Sequence, residues 1–408
     1  MVKCRTDAEA ATHSDALQEL DKMSMDSSRK PHICFITEFP GMYGLLTSND
    51  STMAGGAEIQ QMLIAKALLE IGYTVTFLVP DAGQPDEIET KSGIRVIKTF
   101  RQSDDPGILG RFVGIINLWR ALRRAKADIF YQRTRPVLTG LIALFCNSRR
   151  KSLIYSVGSN KWADGSWKRQ VPKLIIPFSI YGLRRAVIIA QSEEQQKMVS
   201  SSLGKEAVVI RSTFSMPIAG ECVVPQYVLW VGNFGRVKRP EMFVELARRL
   251  PECKFLMVGG PRVSEESLFD EIRSKSGNVP NLEMTGSVPY EQVGRYFDQA
   301  RVLVNTSASE GFPNTYLQAW CRGVPVAATY DVDDLLSKRD LGIFCQNIDE
   351  LEAGVRRLAS DTLLCKDIGE RAKSYVLENH SPSSVAQAYD SVFMHLWDNQ
   401  SNHGRRRS

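Results

Sequence analysis

The sequence lacks the features that mark several large classes of protein. A bilayer-spanning helix needs roughly 20 apolar residues. The longest uncharged, mostly apolar stretch in the middle of the chain is only 136–146. Residues 1–30 are polar and dotted with charge, without the apolar core of a secretory signal. Only five His are present, and none is spaced to another as in a metal site, so we expect no metal. We therefore expect a cytoplasmic protein, or one peripheral on the inner face of the cell membrane.

Cysteine pairs are also missing, because the eight cysteines are scattered and form no C-x-x-C motif. Most lie in apolar runs, such as Cys34 in HICFIT and Cys253 in ECKFLMV, which favours small buried side chains in a reducing compartment. With 43% apolar and 24% charged residues, the composition is that of a soluble globular protein. A length of 408 residues is enough for two domains.

Acidic residues are scarce in one part of the chain. The net charge is only +5, but residues 101–185 contain seventeen Lys and Arg against four acidic residues, an excess of thirteen. Such a concentration is typical either of a solvated basic face or of a surface that attracts membrane lipid or nucleic acid. No RNP, zinc-finger or KH signature accompanies the charge, so we expect no nucleic-acid partner. An anionic membrane surface stays open as a partner.

Short β-branched runs alternate with helical stretches, which is the pattern of α/β folds. A second series of strands and helices begins at Tyr227, after a connection at 212–225 that contains Pro and Gly. We predict two Rossmann-like α/β domains that face each other across a cleft. The predicted boundaries are a disordered polar tail at 1–30, a first domain at 31–212, a second domain at 213–383, a C-terminal helix at 384–398 that returns to the first domain, and a basic tail at 399–408.

Two glycine-rich or cationic runs lie between a predicted strand and a helix. Gly55 and Gly56 open a helix, where free N–H groups favour anions, although such a pair is also typical of a plain tight turn. The run VGNFGRVKRP at 231–240 places three cations within four positions, beside a helix N-terminus. That arrangement suits a diphosphate.

A third run, SASEGFPNTYLQ at 307–318, also comes directly after a predicted strand. It supplies the carboxylate of Glu310 and the backbone N–H groups of Gly311 and Phe312, and a helix that begins near Pro313 points its positive end back at them. Gln318 comes eight residues after Glu310, about two helical turns, and is therefore placed to face the same ligand. Packing alone does not explain such a loop.

Together these runs resemble the retaining nucleotide-sugar glycosyltransferases of the GT-B fold, family 4, also called glycosyl transferases group 1. The resemblance covers about 31–397 and is strongest in the second half. Five runs occur in the family's order and spacing: GGAE, VGNFGRVKRPEMFVELA, FLMVGGP, NLEMTGSVPYEQVGRYFDQARVLVNTS and EGFPNTYLQAWCRGVPVAAT.

The resemblance implies a GT-B fold and transfer of a sugar, with retention of configuration, from a UDP- or GDP-sugar. The implied acceptor is a glycan or a polyprenyl- or other lipid-linked molecule, in cell-envelope or extracellular polysaccharide synthesis. The nucleotide sugar is a substrate, so no cofactor is implied, and no metal is expected. The D-x-D sequence at 331–333 is interpreted as a helix-cap region, with Asp333 or Asp334 capping the next segment of the chain.

The resemblance also implies roles for individual residues. Lys238 matches the family's diphosphate-binding lysine, and Glu310 matches the first carboxylate of the E-x7-E element, which contacts the donor sugar. We take these two as the catalytic residues. The other implied donor-binding residues are Gly55, Gly56, Arg236, Gly286, Ser287, Val288, Gly311, Phe312 and Gln318.

The acceptor site is expected in the first domain. Arg133, Arg135 and Asn160 are candidate acceptor residues, because each lies close after a predicted strand. Basic residues interleaved with Trp162 and Trp167 suit a lipid phosphate at a membrane surface, and they are equally typical of exposed loops without a special role.

Three departures from the family's pattern keep an alternative open. Gln318 replaces the second Glu, Asn233 stands where an arginine is usual, and no His occurs in 154–159, where many members carry one. An amide oxygen still accepts a ribose hydroxyl, and Arg236 is placed to supply the missing charge. The alternative is a GT-B protein that binds a nucleotide but has lost transfer activity. A dehydrogenase is excluded because no G-x-G-x-x-G follows a predicted strand.

Overall fold

The structure is a computed structural model that describes residues 29–39, 41–48, 55–100, 107–133, 135–214, 216–217, 224–262 and 265–405. The tail predicted at 1–30 lies almost entirely outside the described residues, as does the end of the basic tail, 406–408. In the described part of the chain, no helix has the length and apolar character needed to cross a membrane.

The first domain is built on an eight-stranded sheet. Its strands are β1 (Ile33–Ile36), β2 (Val75–Val79), β3 (Glu87–Glu89), β4 (Arg95–Lys98), β5 (Ile129–Arg133), β6 (Ser152–Ser156), β7 (Val187–Ala190) and β8 (Ala207–Val209). Their order in the sheet is β3-β4-β2-β1-β5-β6-β7-β8, with β3 antiparallel to β4 and the other pairs parallel. Every residue of β1, β2 and β5 is buried, because helices cover both faces of the sheet.

The helices of the first domain lie between these strands. They are α1 (Met42–Thr47), α2 (Gly56–Glu70), α3 (Gly107–Ala125), α4 (Thr139–Arg149), α5 (Asn160–Ala163), α6 (Ile176–Arg185) and α7 (Glu193–Leu203), with a short 3₁₀ helix at Ser166–Arg169. The helix α2 begins at Gly56 with Gly55 as its N-cap residue, so the predicted helix start is confirmed.

The second domain repeats the plan with a six-stranded parallel sheet. Its strands are β9 (Tyr227–Val231), β10 (Phe255–Val258), β11 (Leu282–Met284), β12 (Ala300–Asn305), β13 (Val326–Ala328) and β14 (Gly342–Phe344). Their order is β11-β10-β9-β12-β13-β14, and each neighbouring pair is parallel. Its helices are α8 (Pro240–Arg249), α9 (Glu266–Ser276), α10 (Tyr290–Asp298), α11 (Asn314–Trp320), α12 (Ile348–Ser360) and α13 (Thr362–His380), with 3₁₀ helices at Arg236–Lys238 and Val332–Asp334.

The last helix, α14 (Pro382–Arg405), returns to the first domain and packs against α2. The helix also contacts β5, where the hydroxyls of Tyr389 and Tyr131 lie 3.2 Å apart. The helix is longer than the predicted 384–398, so residues 399–405 are helical rather than part of a tail. Gln400 helps to explain the extension, because its amide donates a 2.6 Å hydrogen bond to the Ser152 hydroxyl of the first domain.

Several short elements differ from the sequence-based expectation. The strands β3, β8 and β14 are three residues each, too short to stand out in the sequence. The apolar spacing in the sequence predicts a helix over 115–125, whereas α3 begins at Gly107. The loop expected at 38–54 contains the short helix α1. The three strands lie at or beside sheet edges, where one side of the strand has no neighbour to demand a buried apolar run.

Candidate functional site

A cleft of about 610 Å³ lies between the two domains. Its walls come from loops that follow β5, β6 and β7 in the first domain and β9, β10 and β12 in the second, together with the first turn of α2. In parallel α/β sheets these carboxyl-end loops are the usual place for a ligand, since their sequence is free of the packing demands of the core.

Nine of the fourteen predicted site residues line this cleft. They are Gly55, Gly56, Arg133, Asn160, Lys238, Glu310, Gly311, Phe312 and Gln318. Five others are not among the lining residues: Arg135, Arg236, Gly286, Ser287 and Val288. The loop at 286–288 is tied to the end of β10, because the Gly259 N–H donates to the Gly286 carbonyl at 3.0 Å.

Lys238 and Glu310 meet on the second-domain side of the cleft. The Lys238 ammonium donates a hydrogen bond to Glu310 Oε1, and the pair is a salt bridge. The hydroxyl of Ser307 donates to the same carboxylate oxygen at 2.6 Å. Ser307 and Glu310 belong to the loop after β12, and Lys238 ends the 3₁₀ helix after β9, so neighbouring strands of the sheet bring them together. The pair therefore forms a charged, partly buried contact that a bound anion can rearrange.

The glycine loop of the first domain touches the second domain closely. The side-chain amide of Asn314 donates to the Gly56 carbonyl at 3.1 Å. A Cβ atom at position 56 would lie 2.6 Å from that amide nitrogen, which is closer than real contacts allow. An alanine at position 56 would displace the Asn314 amide, so the glycine permits this hydrogen bond between the N-terminus of α2 and the second domain.

A buried polar network supports the first-domain wall. The Arg133 side chain is only 4% exposed, and one of its terminal nitrogens donates to Gln191 Oε1 at 2.7 Å. Gln195 donates to Asn160 Oδ1 at 3.1 Å, and Asn160 in turn donates to the Tyr330 hydroxyl of the second domain at 3.0 Å. Sequence analysis missed Gln191, which lines the cleft at the end of β7, because an isolated Gln carries no motif.

Arg262 lines the cleft at the end of β10. Arg236, which the sequence suggested as the source of the charge missing at Asn233, is not among the lining residues. The Arg236 backbone N–H instead donates to Glu265 at 2.7 Å, and Arg262 pairs with the same carboxylate group at 3.4 Å. The available signal was an arginine just after the strand-ending sequence Gly-Gly-Pro. Lys161 also lines the cleft, and burial lowers its pKa, with Arg262 and Arg135 lowering it further.

The two tryptophans expected in exposed, lipid-facing loops are instead buried. Trp162 and Trp167 belong to the same hydrophobic core cluster as residues of α4 and α6, and Trp167 is fully buried. Indole rings bury a large apolar area, and the core of the first domain takes both of them. They do not contribute to an acceptor surface.

The D-x-D segment caps two elements rather than one. Asp331 accepts hydrogen bonds from Leu336 N and Ser337 N at 2.7 and 3.0 Å, so it caps the segment just after it. Asp333 caps the other domain, because its two oxygens accept from Glu193 N and Glu194 N, each at 3.0 Å, at the start of α7. The prediction that Asp333 or Asp334 caps the next segment of the chain is therefore wrong, although the D-x-D residues do serve as caps.

A buried histidine lies behind the cleft. The Phe312 and His380 rings pack with their centroids 4.8 Å apart, and His380 Nδ1 contacts the Ser212 carbonyl at 2.6 Å. The carbonyl can only accept, so Nδ1 carries the proton. Burial lowers the pKa of His380 to about 3, and Arg211 contributes in the same direction. The ring is therefore neutral at ordinary pH and serves as packing for Phe312.

Residues 225–361 match the family model described as Glycosyl transferases group 1. The predicted resemblance is thus confirmed in part: the matching residues lie within the second domain. A curated relative, Glycosyltransferase 1 domain-containing protein 1 of Xenopus tropicalis, is 28% identical over 177 residues. That alignment covers 42% of this chain and 50% of the relative, so the chain spans half the length of the relative it matches.

Solved structures extend the likeness to both domains. Sucrose-phosphate synthase of Thermosynechococcus elongatus superposes with a TM-score of 0.69 at 18% identity, covering 91% of this chain and 100% of that one. HepE of Anabaena, solved in complex with UDP and glucose, gives a TM-score of 0.70 at 15% identity, with 90% and 100% covered. These likenesses show the fold, and the predicted GT-B architecture is confirmed.

Proposed function

We propose that this protein is a retaining, family 4 glycosyltransferase that moves a sugar from a UDP- or GDP-sugar to a glycan or lipid-linked acceptor. The observation that carries the proposal is the Lys238–Glu310 pair, which lies in an interdomain cleft whose second wall is a group 1 domain. HepE, a neighbour of the same fold, was solved with UDP and glucose, which supports a nucleotide-sugar donor.

The proposed sugar transfer mainly requires positive charge beside the leaving group. A nucleoside diphosphate gains negative charge on its β-phosphate as the sugar–oxygen bond breaks, and fixed cations there lower the barrier. In the proposal, Lys238 leaves Glu310 for that phosphate, and Arg262 and the N-terminus of α2 add charge from both walls. These groups suffice for a reaction that we propose to be independent of a metal and of any cofactor.

Glu310 is then free to accept hydrogen bonds from the hydroxyls of the donor sugar. Ser307 keeps a bond to the same carboxylate and so fixes its orientation. Gln318, which lines the cleft in α11, accepts a ribose hydroxyl through its amide oxygen. The base then reaches toward the loop at 286–288. Retention results if the acceptor attacks the same face of a short-lived oxocarbenium ion pair from which the diphosphate leaves.

The first-domain wall favours an acceptor that carries negative charge. Arg133 and Lys161 both line the cleft, and Arg133 is held in place by Gln191. Phosphate groups of lipid-linked sugars match such cations, which favours a role in cell-envelope or extracellular polysaccharide synthesis at the inner face of the membrane.

The alternative is a protein that binds the nucleotide and has lost transfer. Three observations favour it: Gln318 in place of a carboxylate, Asn233 in the cleft where an arginine is usual, and no His in 154–159. Both proposals use the same cleft, so they differ only in turnover.

The test is release of UDP or GDP from a panel of UDP- and GDP-sugars, with oligosaccharides and polyprenyl phosphate added as acceptors, measured with wild type, Glu310→Gln and Glu271→Gln. Glu271 is an exposed residue of α9, so it serves as a matched carboxylate-to-amide control. We expect wild type and the control to release one of the two nucleotides, and Glu310→Gln to lose about 100-fold or more, as for a residue that acts in the transition state. Nucleotide binding without release by any of the three proteins would favour the alternative.

A further inference from the structure

Three neighbouring helices cover one face of the first-domain sheet. The Trp119 ring of α3 packs edge-on against Phe145 of α4, with centroids 5.1 Å apart. Helices α4 and α6 cross so closely that a Cβ atom on Gly182 would lie 2.5 Å from the Gly140 nitrogen. Their inner sides share the hydrophobic core, and their outer sides form a continuous layer.

The outer side of this layer is unusually apolar. Of the twelve exposed large hydrophobic side chains in the described part of the chain, six belong to these helices or to the turn before α6. They are Val113, Ile115, Ile116, Leu144, Leu174 and Phe178. Leu174 is 92% exposed, the highest value of the twelve. The hydrophobic core of the domain does not cover these six side chains.

Most of these side chains lie near the edge of the sheet that faces the cleft. Each of the three helices precedes or connects parallel strands, so each runs back from the carboxyl-end edge of the sheet to the opposite edge. Val113 and Ile116 are in the first half of α3, and Leu174 and Phe178 are at the start of α6. The apolar positions therefore cluster on the cleft side of the layer.

Cations come after the apolar positions along the same helices. Arg120 and Arg123 are exposed in the second half of α3, and Arg184 and Arg185 are exposed at the end of α6. Residues 107–185 contain sixteen Lys and Arg against two acidic residues. One of those two, Asp128, is buried and paired with Lys151 at 2.7 Å, so it does not offset charge on the outer side.

We propose that this layer is a docking face for an anionic lipid bilayer, defined by Val113, Ile116, Leu144, Leu174 and Phe178 with the arginines of α3 and α6. Apolar side chains beside cations match the boundary between acyl chains and anionic headgroups. Nucleic acid would pair with the cations of this layer but would not bury its apolar side chains. An acidic protein surface would likewise pair only with the cations. The inference adds a surface to the membrane location in the proposed function and is independent of turnover.

The docking face also explains how a lipid-linked acceptor reaches the cleft. The apolar side chains of the docking face lie near the edge of the sheet that borders the cleft. Docking would therefore bring the opening of the cleft to the level of the lipid headgroups. Trp162 and Trp167, which sequence analysis linked to a membrane, lie beneath this layer and take no part.

Co-sedimentation of the full chain with lipid vesicles tests the proposal. One set of vesicles is pure phosphatidylcholine, and the other contains phosphatidylglycerol as well. The test variant carries V113S, I116S, L174S and F178S. The matched control carries L363S and L377S, which also replace exposed leucines by serine but lie on α13 in the second domain.

We expect wild type and the control to bind the anionic vesicles and to bind phosphatidylcholine much more weakly, with binding falling as salt rises. The test variant should bind the anionic vesicles about tenfold more weakly, because membrane affinity scales with the apolar area inserted. The far-UV circular dichroism spectrum and the midpoint of thermal unfolding should be equal in all three proteins, which shows that the test variant is folded.

Three results would overturn the proposal. The first is wild type that stays in solution with anionic vesicles. The second is a test variant that binds them as wild type does. The third is self-association of wild type, seen by sedimentation velocity without lipid and lost in the test variant, which would assign the face to a second copy of the chain. Sugar transfer can succeed or fail in each case, so this result and that of the proposed function are read separately.

Discussion

At the scale of single residues, His380 makes the stability of the fold behind the cleft depend on pH. Its ring is buried between Phe312 and Tyr375, and burial lowers its pKa to about 3, against about 6.5 in an unfolded chain. Between pH 6.5 and 3, the His380 imidazole is therefore protonated in the unfolded state but neutral in the folded state. The contribution of His380 to the free energy of unfolding is complete above pH 6.5 and is lost as the pH falls toward 3.

His380→Asn keeps a side-chain N–H for the Ser212 carbonyl but removes the titrating group. Between pH 7 and 5 we expect the free energy of unfolding of wild type to fall by about 2 kcal/mol more than that of the variant. Urea unfolding at a series of pH values measures the difference. Parallel pH profiles for the two proteins would show that the ring is protonated as easily in the folded state as in the unfolded one.

At the scale of elements, glycines set the crossing of α4 and α6. A Cβ atom on Gly182 would lie 2.4 Å from the Thr139 carbonyl carbon, an atom of the backbone that cannot move aside. Gly114, inside α3, has only the Phe100 side chain at an ordinary 3.8 Å. The same substitution should therefore have opposite effects at the two positions.

We expect Gly182→Ala to lower the free energy of unfolding by about 2 kcal/mol or more, as overpacking does. Gly114→Ala should raise it by up to about 1 kcal/mol through helix propensity. Thermal or urea unfolding of both variants against wild type is the measurement. Equal destabilisation by the two variants would mean that the close helix crossing is not present in solution.

Elements and site residues were predictable from the sequence to different extents. The central strands and the start of α2 were, because buried β-branched runs and a glycine N-cap are local signals. Lys238 and Glu310 could be placed in one site because both come after strands of the same parallel sheet, whose carboxyl ends meet at one edge. The resemblance to a known family then supplied their roles.

Other features depend on how the chain packs and so left no local signal. Whether Trp162 lies in a core or on a surface is decided by the helices above it. The capping of α7 by Asp333 requires the second domain to meet the first, and no pattern within 331–333 specifies that partner. Arg262 lines the cleft because the loop after β10 folds beside the loop after β9, where Glu265 contacts both the Arg236 backbone N–H and the Arg262 side chain.

At the scale of the whole molecule, Asp333 is one of the side chains that join the two domains. Its carboxylate accepts from the first two N–H groups of α7, where the helix dipole also favours negative charge. Asp334 is a natural control, because both residues have positive φ, 50° and 55°, and alanine strains the backbone equally at each. Asp334 pairs instead with Lys338 within its own segment.

Asp333→Ala should loosen the interdomain contact, at a cost of about 2 kcal/mol for two charge-assisted hydrogen bonds, while Asp334→Ala should not. Small-angle scattering is expected to show a larger radius of gyration for Asp333→Ala than for wild type or Asp334→Ala. The same radius of gyration for both variants would contradict a role for Asp333 in holding the domains together.

The central claim is that the interdomain cleft binds a nucleoside diphosphate through Lys238. Calorimetric titration with UDP and with GDP, first without metal and then with magnesium, tests it most directly. We predict metal-free binding of one nucleotide to wild type, and about 30-fold weaker binding to Lys238→Met, equivalent to about 2 kcal/mol. Binding of neither nucleotide by wild type, or equal binding by wild type and Lys238→Met, would contradict the account.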